Sequence, residues 1–197
     1  MIDITYDFGD GNGPVAAHRH SNGGGWVADT AIVTDSVYVG RTALVYGNAR
    51  VSGTARISGN ARVSGNAMVH GDACVQGNAF VTDDAWVSGY ACVSGNACIL
   101  NTARIYDYAE VWGSACVGGN VRVGCDARVL GNAWVSGNAR VIGDAWVSGN
   151  ARISGNAYVW DNAVVTDDAE ISGTAEVWGT ARVSGNDVIT GDARVSV

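Results

Sequence analysis

Three histidines, five cysteines and twelve arginines carry most of the chemistry open to this chain, against nineteen carboxylates and no lysine. His70 stands in Val69-His70-Gly71-Asp72, an imidazole with a carboxylate two residues on. A general base held by an orienting acid needs that pair of groups, so His70 and Asp72 are the candidate catalytic residues if the chain is an enzyme. His18 and His20 lie two residues apart in a glycine-rich N-terminal stretch. A zinc site of the anhydrase type needs three converging imidazoles, which this placement does not supply. The cysteine count is odd and no Cys-x-x-Cys occurs, so neither a zinc knuckle nor a disulfide framework is expected. Asp7-Phe8-Gly9-Asp10-Gly11-Asn12-Gly13 superficially resembles a calcium loop, but its acidic spacing fits neither an EF-hand nor the calcium-binding nonapeptide. No metal site is therefore expected.

The elements that would position these groups follow from a single period. Every sixth residue from Val27 to Val195 is Val or Ile, 29 positions without a slip. The typical unit is Val-Ser-Gly-Asn-Ala-Arg, as in Val135-Ser136-Gly137-Asn138-Ala139-Arg140. The fifth position is Ala in all units but those holding Val37, Val121 and Asp187. Two inward residues flanking one outward residue is strand alternation, and the Gly-Asn or Gly-Asp that follows is turn chemistry with positive φ. Each hexapeptide is therefore a short strand and a corner. A helix would show apolar spacings of three and four and would not carry a Gly in every turn. Repeats of this kind bury their apolar faces only by stacking.

Composition narrows the function classes. A net charge of −7 and a pI near 4.7 argue against a general nucleic-acid binder. The first residues lack a basic start and an apolar run, so neither a signal peptide nor a membrane span is expected, and synthesis in a reducing cytoplasm is. Thr is scattered rather than ranked, against an ice-binding face. Carboxylates gather at corners such as Asp83-Asp84 and Asp167-Asp168 rather than in rows, against a DNA mimic.

The pattern aliphatic, any, any, any, small, any resembles the hexapeptide repeat of left-handed parallel β-helices. The Gly-Gly-Trp-Val-Ala-Asp stretch at 24–29 resembles the start of the YdcK-like branch, and Gly-Asn-Ala-Arg-Val repeats are similar to those of phage-encoded chains. The resemblance implies an all-β triangular solenoid, three hexapeptides or 18 residues per coil. Twenty-nine repeats then make 9 to 10 coils, roughly 45 Å at a strand spacing of about 4.8 Å. Residues 1–26 would form a cap or docking segment and 27–197 the β-helix.

Given that winding, residues 18 apart stack and the exterior sorts into three faces. The first carries Trp26, Leu44, Arg62, Phe80, Cys98, Cys116 and Trp134, with Tyr46 and Leu100 beside them. A contiguous apolar strip marks a protein contact. The resemblance implies a threefold trimer along it, with Trp26, Leu44, Tyr46, Phe80, Cys98, Leu100, Cys116 and Trp134 at the interface. The second face stacks Arg104, Arg122 and Arg140, the candidate grip on an anion or an acidic partner, with Trp160 and Trp178 beside it as an exposed aromatic pair. Cys74 stacks with Cys92 and Cys98 with Cys116, slightly too far apart for a relaxed disulfide. Cys125 replaces a corner Gly and is expected to react first. The redox state of all five cysteines stays open.

The repeat runs to Val195 with no cap after it. A bare coil there is expected to be frayed and wet, Asp187 being at an inward position, or covered by another copy or a neighbouring structural protein. These features lead us to expect a non-enzymatic, homotrimeric structural module without a cofactor. It would dock at its cap or its bare coil and bind neither nucleic acid nor membrane. The phage-like repeat points to a virion part such as a capsid decoration, head fibre or tail-fibre shaft, assembled in the host cytoplasm; otherwise the chain would be cytoplasmic. The alternatives are an acyltransferase using acetyl-coenzyme A and a carbohydrate- or surface-binding module.

Overall fold

The computed structural model describes residues 4–197. From Val27 the chain winds as a parallel β-solenoid whose three sheets have 12, 10 and 9 strands, the first sheet including two strands from the N-terminal segment. Among the described residues there is no helix, hence none long and apolar enough to cross a membrane.

Each hexapeptide forms one strand of two or three residues and one corner. The register is the expected one: Val45 lies opposite Val63, Val63 opposite Val81, and Val81 opposite Ile99, always 18 residues on. The β-branched residues suit this because their stiff side chains pack well on a pleated surface. With the Ala of the fifth position they form one continuous core from Val27 to Val183, nearly all of it without exposed surface. Val37 and Val121 occupy the Ala position and are equally buried.

The corners explain the Gly-Asn pairs. Gly53 has φ +75°, and a Cβ there would sit 2.6 Å from the Gly71 carbonyl of the next coil. Asn side chains stack 18 residues apart and donate along the shaft, as Asn60 Nδ2 does to Asn78 Oδ1 at 3.1 Å and Asn78 Nδ2 to Asn96 Oδ1 at 2.9 Å. The Asp-Asp corners perform both tasks at once. Asp83, with φ +59°, accepts the Asn101 N–H at 2.8 Å, while Asp84 accepts from Asn66 Nδ2 at 3.0 Å. Asp167 and Asp168 repeat this with the Gly185 N–H at 3.0 Å and Asn150 Nδ2 at 2.9 Å.

The N-terminal segment covers the first coils. Strand β1 (Thr5–Tyr6) pairs antiparallel with β2 (Val15–Arg19), and β2 pairs antiparallel with β3 (Trp26–Ala28), the first strand of the shaft. This hairpin takes up an edge that would otherwise offer unpaired N–H and C=O groups. Residues 20–25 cross to the third sheet, where Gly25 N–H donates to the Val39 carbonyl and Val39 N–H to that of Asn22, both at 2.9 Å. The segment also lies on the flank of the shaft. Phe8 stacks on Tyr46 at 5.0 Å and Tyr6 on Trp26 at 4.6 Å, closing a small second core with Leu44. Leu44 and Tyr46 are thereby buried within the chain and Trp26 half-buried. For Leu44 and Tyr46 this leaves little surface for the expected oligomer interface, because the apolar residues of the first segment, which carry no repeat, pack on them first; Trp26 stays half-buried, as Phe80, Cys98 and Cys116 are.

The last coil keeps its ladder, with Glu176 opposite Arg194 and Val177 opposite Val195. Asp187 is exposed and accepts the Ser184 N–H at 3.3 Å. This inward position is wet without the coil being undone.

Candidate anion-binding face

The second sheet sets Arg104 opposite Arg122 and Arg122 opposite Arg140. Backbone hydrogen bonds fix that spacing, Arg104 N–H donating to the Val121 carbonyl at 2.9 Å and Arg122 N–H to that of Ala139 at 3.0 Å. All three side chains are exposed, and among the described residues no carboxylate approaches within 4.0 Å of any of them. The fold pairs arginines elsewhere: Arg128 meets Glu110, and Arg194 meets Glu176, each at 3.5 Å.

Trp86, Ser88, Arg104, Tyr106 and Arg122 line an open groove of about 380 Å³ along this ladder. Its floor depends on Gly124, whose added Cβ would stand 2.1 Å from Tyr106 Cζ, so the phenol ring lies flat across the next coil only because no side chain is there. Burial under the neighbouring coil pushes the Tyr106 hydroxyl above its ordinary pKa. The Arg104 guanidinium lies 5.6 Å from the Trp86 ring centre. At the adjoining corner Tyr90 and Tyr108 stack at 5.0 Å with planes 3° apart, each 57% exposed. Sequence reasoning missed this pair because it read the corner column as turn chemistry only. The signal was two tyrosines 18 apart in an Asn/Asp column.

Beyond Arg140 the face becomes aromatic. Tyr158, opposite Arg140, stacks on Trp160 at 5.6 Å, and Trp160 on Trp178 at 5.9 Å. Both tryptophans are half-buried rather than exposed, which corrects the expected exposed pair. Stacking turns one ring onto the other, and Trp160 Nε1 is left buried without a hydrogen-bond partner.

The other candidates are placed differently. Asp72 accepts a hydrogen bond from the Thr54 hydroxyl, and His70 Nε2 accepts the Trp86 indole N–H at 2.5 Å. Each partner belongs to a neighbouring coil, and no hydrogen bond joins His70 to Asp72, the candidate pair under the enzyme alternative. In the cap, His18 Nδ1 lies 2.7 Å from Asp29 Oδ1, and His20 is buried with Nε2 unpartnered. The Asp7–Gly13 loop turns its carboxylates on itself: Asp7 accepts the Gly9 N–H at 2.8 Å and Asp10 the Asn12 N–H at 3.0 Å, which lowers the Asp10 pKa. Among the described residues no three metal-ligating side chains come together.

Cys74 lies opposite Cys92, and Cys98 opposite Cys116. A hydrogen bond from Cys92, with Arg56 nearby, lowers the Cys74 thiol to about 7, and the same bond drives Cys92 upward. Burial pushes Cys98 up to about 11. All five cysteines are half-buried, so exposure does not single out Cys125. On the first face Leu100 lies over Gly118, while Phe80, Cys98, Cys116 and Trp134 form the column left uncovered by the cap, Trp134 being 53% exposed.

No curated protein matches the chain significantly. The family model of the YdcK β-solenoid repeat matches residues 55–71 and 133–149. Each stretch is nearly one full coil of the shaft, and the solenoid is thus built from repeats similar to those of the YdcK β-solenoid family.

Proposed function

We propose that this chain is a non-enzymatic structural module, a stiff shaft that associates with copies of itself as a trimer and serves as a spacer or decoration element of a larger assembly, such as a phage virion. The observation that carries this reading is the unbroken register: from Trp26 to Ser196 every strand pairs in parallel with one 18 residues away, and no hexapeptide extrudes a loop that could shape an acceptor pocket. A solenoid of this kind holds its side chains at a fixed pitch along a rigid body. The contact surface in this reading is the column of Phe80, Cys98, Cys116 and Trp134. Its half-buried thiols and exposed indole offer apolar area that a copy would cover.

The test is native mass by light scattering, on the unmodified chain and on Phe80→Ser/Trp134→Ser, each with and without acetyl-coenzyme A. A trimer indifferent to the coenzyme, dissolving to a folded monomer in the double variant, supports the proposal. A monomer at all concentrations refutes the self-association, and a coenzyme-dependent change of mass moves the acyltransferase reading ahead of it.

A further inference from the structure

We infer that the Arg104–Arg122–Arg140 ladder and its flanking aromatic rings form a binding site for a linear carboxylated glycan, a polyuronate. The inference is independent of self-association, which uses the first face.

Arg104, Arg122 and Arg140 follow one another on one ladder with no carboxylate within 4.0 Å, in a chain that has acidic groups in excess and sets a Glu opposite an Arg at three other places, closing an ion pair at two of them. Like charges directly opposite one another across a ladder work against the fold. An arrangement that opposes stability without structural gain points to a ligand. The missing partner is anionic, and its charges must recur at the pitch of the strands, about 4.8 Å. Arginine presents a planar fork that grips a carboxylate through two parallel hydrogen bonds.

The rest of the face selects the body that carries those charges. Trp86 and Tyr106 stand at one end of the ladder, Tyr158 and Trp160 at the other. Such rings offer flat apolar faces with a polar edge, to which the C–H face of a pyranose is complementary. The Ser88 hydroxyl in the groove can exchange hydrogen bonds with ring hydroxyls. A uronate chain supplies one carboxylate and one stacking face per sugar, at a residue length close to the strand spacing. An extended nucleic-acid strand sets successive phosphates further apart than the ladder sets its arginines, so its charges fall out of step with them.

The test is titration calorimetry at low salt with four probes: trigalacturonate, polygalacturonate, its fully methyl-esterified form, and a thymidine oligonucleotide. The two uronates should bind, and binding should weaken as salt is raised. Arg122→Gln should raise the dissociation constant for trigalacturonate about tenfold or more, Tyr106→Leu should also weaken it, and esterification should abolish it. Arg182→Gln, on the third face, should leave it unchanged, and matching circular dichroism spectra show that each variant is folded. The inference is overturned if the uronates do not bind, if Arg122→Gln binds them as well as the parent does, if the ester binds equally, or if the oligonucleotide binds more tightly than trigalacturonate.

Discussion

Replacing Arg122 by Gln should stabilise the unliganded protein, an unusual expectation for the loss of a charged side chain from a ladder. Arg122 is the middle member and faces two like charges, Arg104 and Arg140. A like-charge pair directly opposite on neighbouring strands is destabilising by up to about 1 kcal/mol, and solvent screening of exposed groups holds each pair here to roughly 0.2–0.5 kcal/mol. Two pairs relieved together make about 0.4–1 kcal/mol. For a chain of this size each kcal/mol moves the melting temperature by roughly 2–4 °C, so the gain is about 1–4 °C. The assay is thermal melting followed by circular dichroism at about 10 mM and at about 1 M salt. At the higher salt the Debye length shrinks to about 3 Å, less than the strand spacing, and the difference between the two proteins should disappear. Arg128→Gln is the internal control, because it removes a pair with Glu110 at 3.5 Å and should lower the melting temperature slightly or leave it unchanged. A variant that melts at or below the parent in low salt, or whose gain persists in high salt, refutes the reasoning that this ladder is held against its own repulsion.

Two further predictions concern the cysteines. Cys125 holds φ +57° at a corner where most coils have Gly, a conformation costing a residue with a Cβ roughly 1–2 kcal/mol, so Cys125→Gly should raise the melting temperature despite the extra freedom glycine gains on unfolding. Cys125→Asp should raise it too, by offering an acceptor to the next coil as Asp107 does to the Cys125 N–H at 3.4 Å; a fall in both variants would sink this account of the corner. Alkylation mapped by mass spectrometry should label Cys74 first, its rate climbing through about pH 7, because the hydrogen bond from Cys92 and the Arg56 charge favour its thiolate. Allowing for the lower nucleophilicity of a more acidic thiol, it should outpace Cys98, pushed up to about 11, by about a hundredfold at neutral pH, and Cys92→Ala should slow it. Earlier labelling of Cys98 or Cys116 would contradict both the geometry and its electrostatics.

What the sequence shows of this protein divides along one physical line. Whatever repeats with the coil was legible. The inward Val, Ile and Ala, the corner glycines, the faces on which Cys74 meets Cys92 and Arg104 meets Arg122, and the partners in every ladder follow once the period is known, because the backbone hydrogen bonds leave the register no freedom. Interactions that break the period were not legible. The cap hairpin carries Tyr6 and Phe8 onto Trp26 and Tyr46, and nothing in the spacing of residues 4–26 announces which shaft residues they cover. His70 and Asp72 read as a pair because they are two residues apart, yet a corner separates their directions, and each finds its partner 16 or 18 residues away. In a solenoid the near neighbour is the residue one coil on, not the next in sequence. Distances along the chain therefore mislead wherever chemistry is sought, and the column is the unit in which to look for it. Read by column, the second face shows three adjacent coils with the same cation and no counter-charge, bounded by Tyr106 over Gly124 and by the stacked Tyr158 and Trp160. The corner and core columns satisfy themselves, Asn on Asn and Val on Val. The Arg104 column does not, and a ligand of matching pitch is what would complete it.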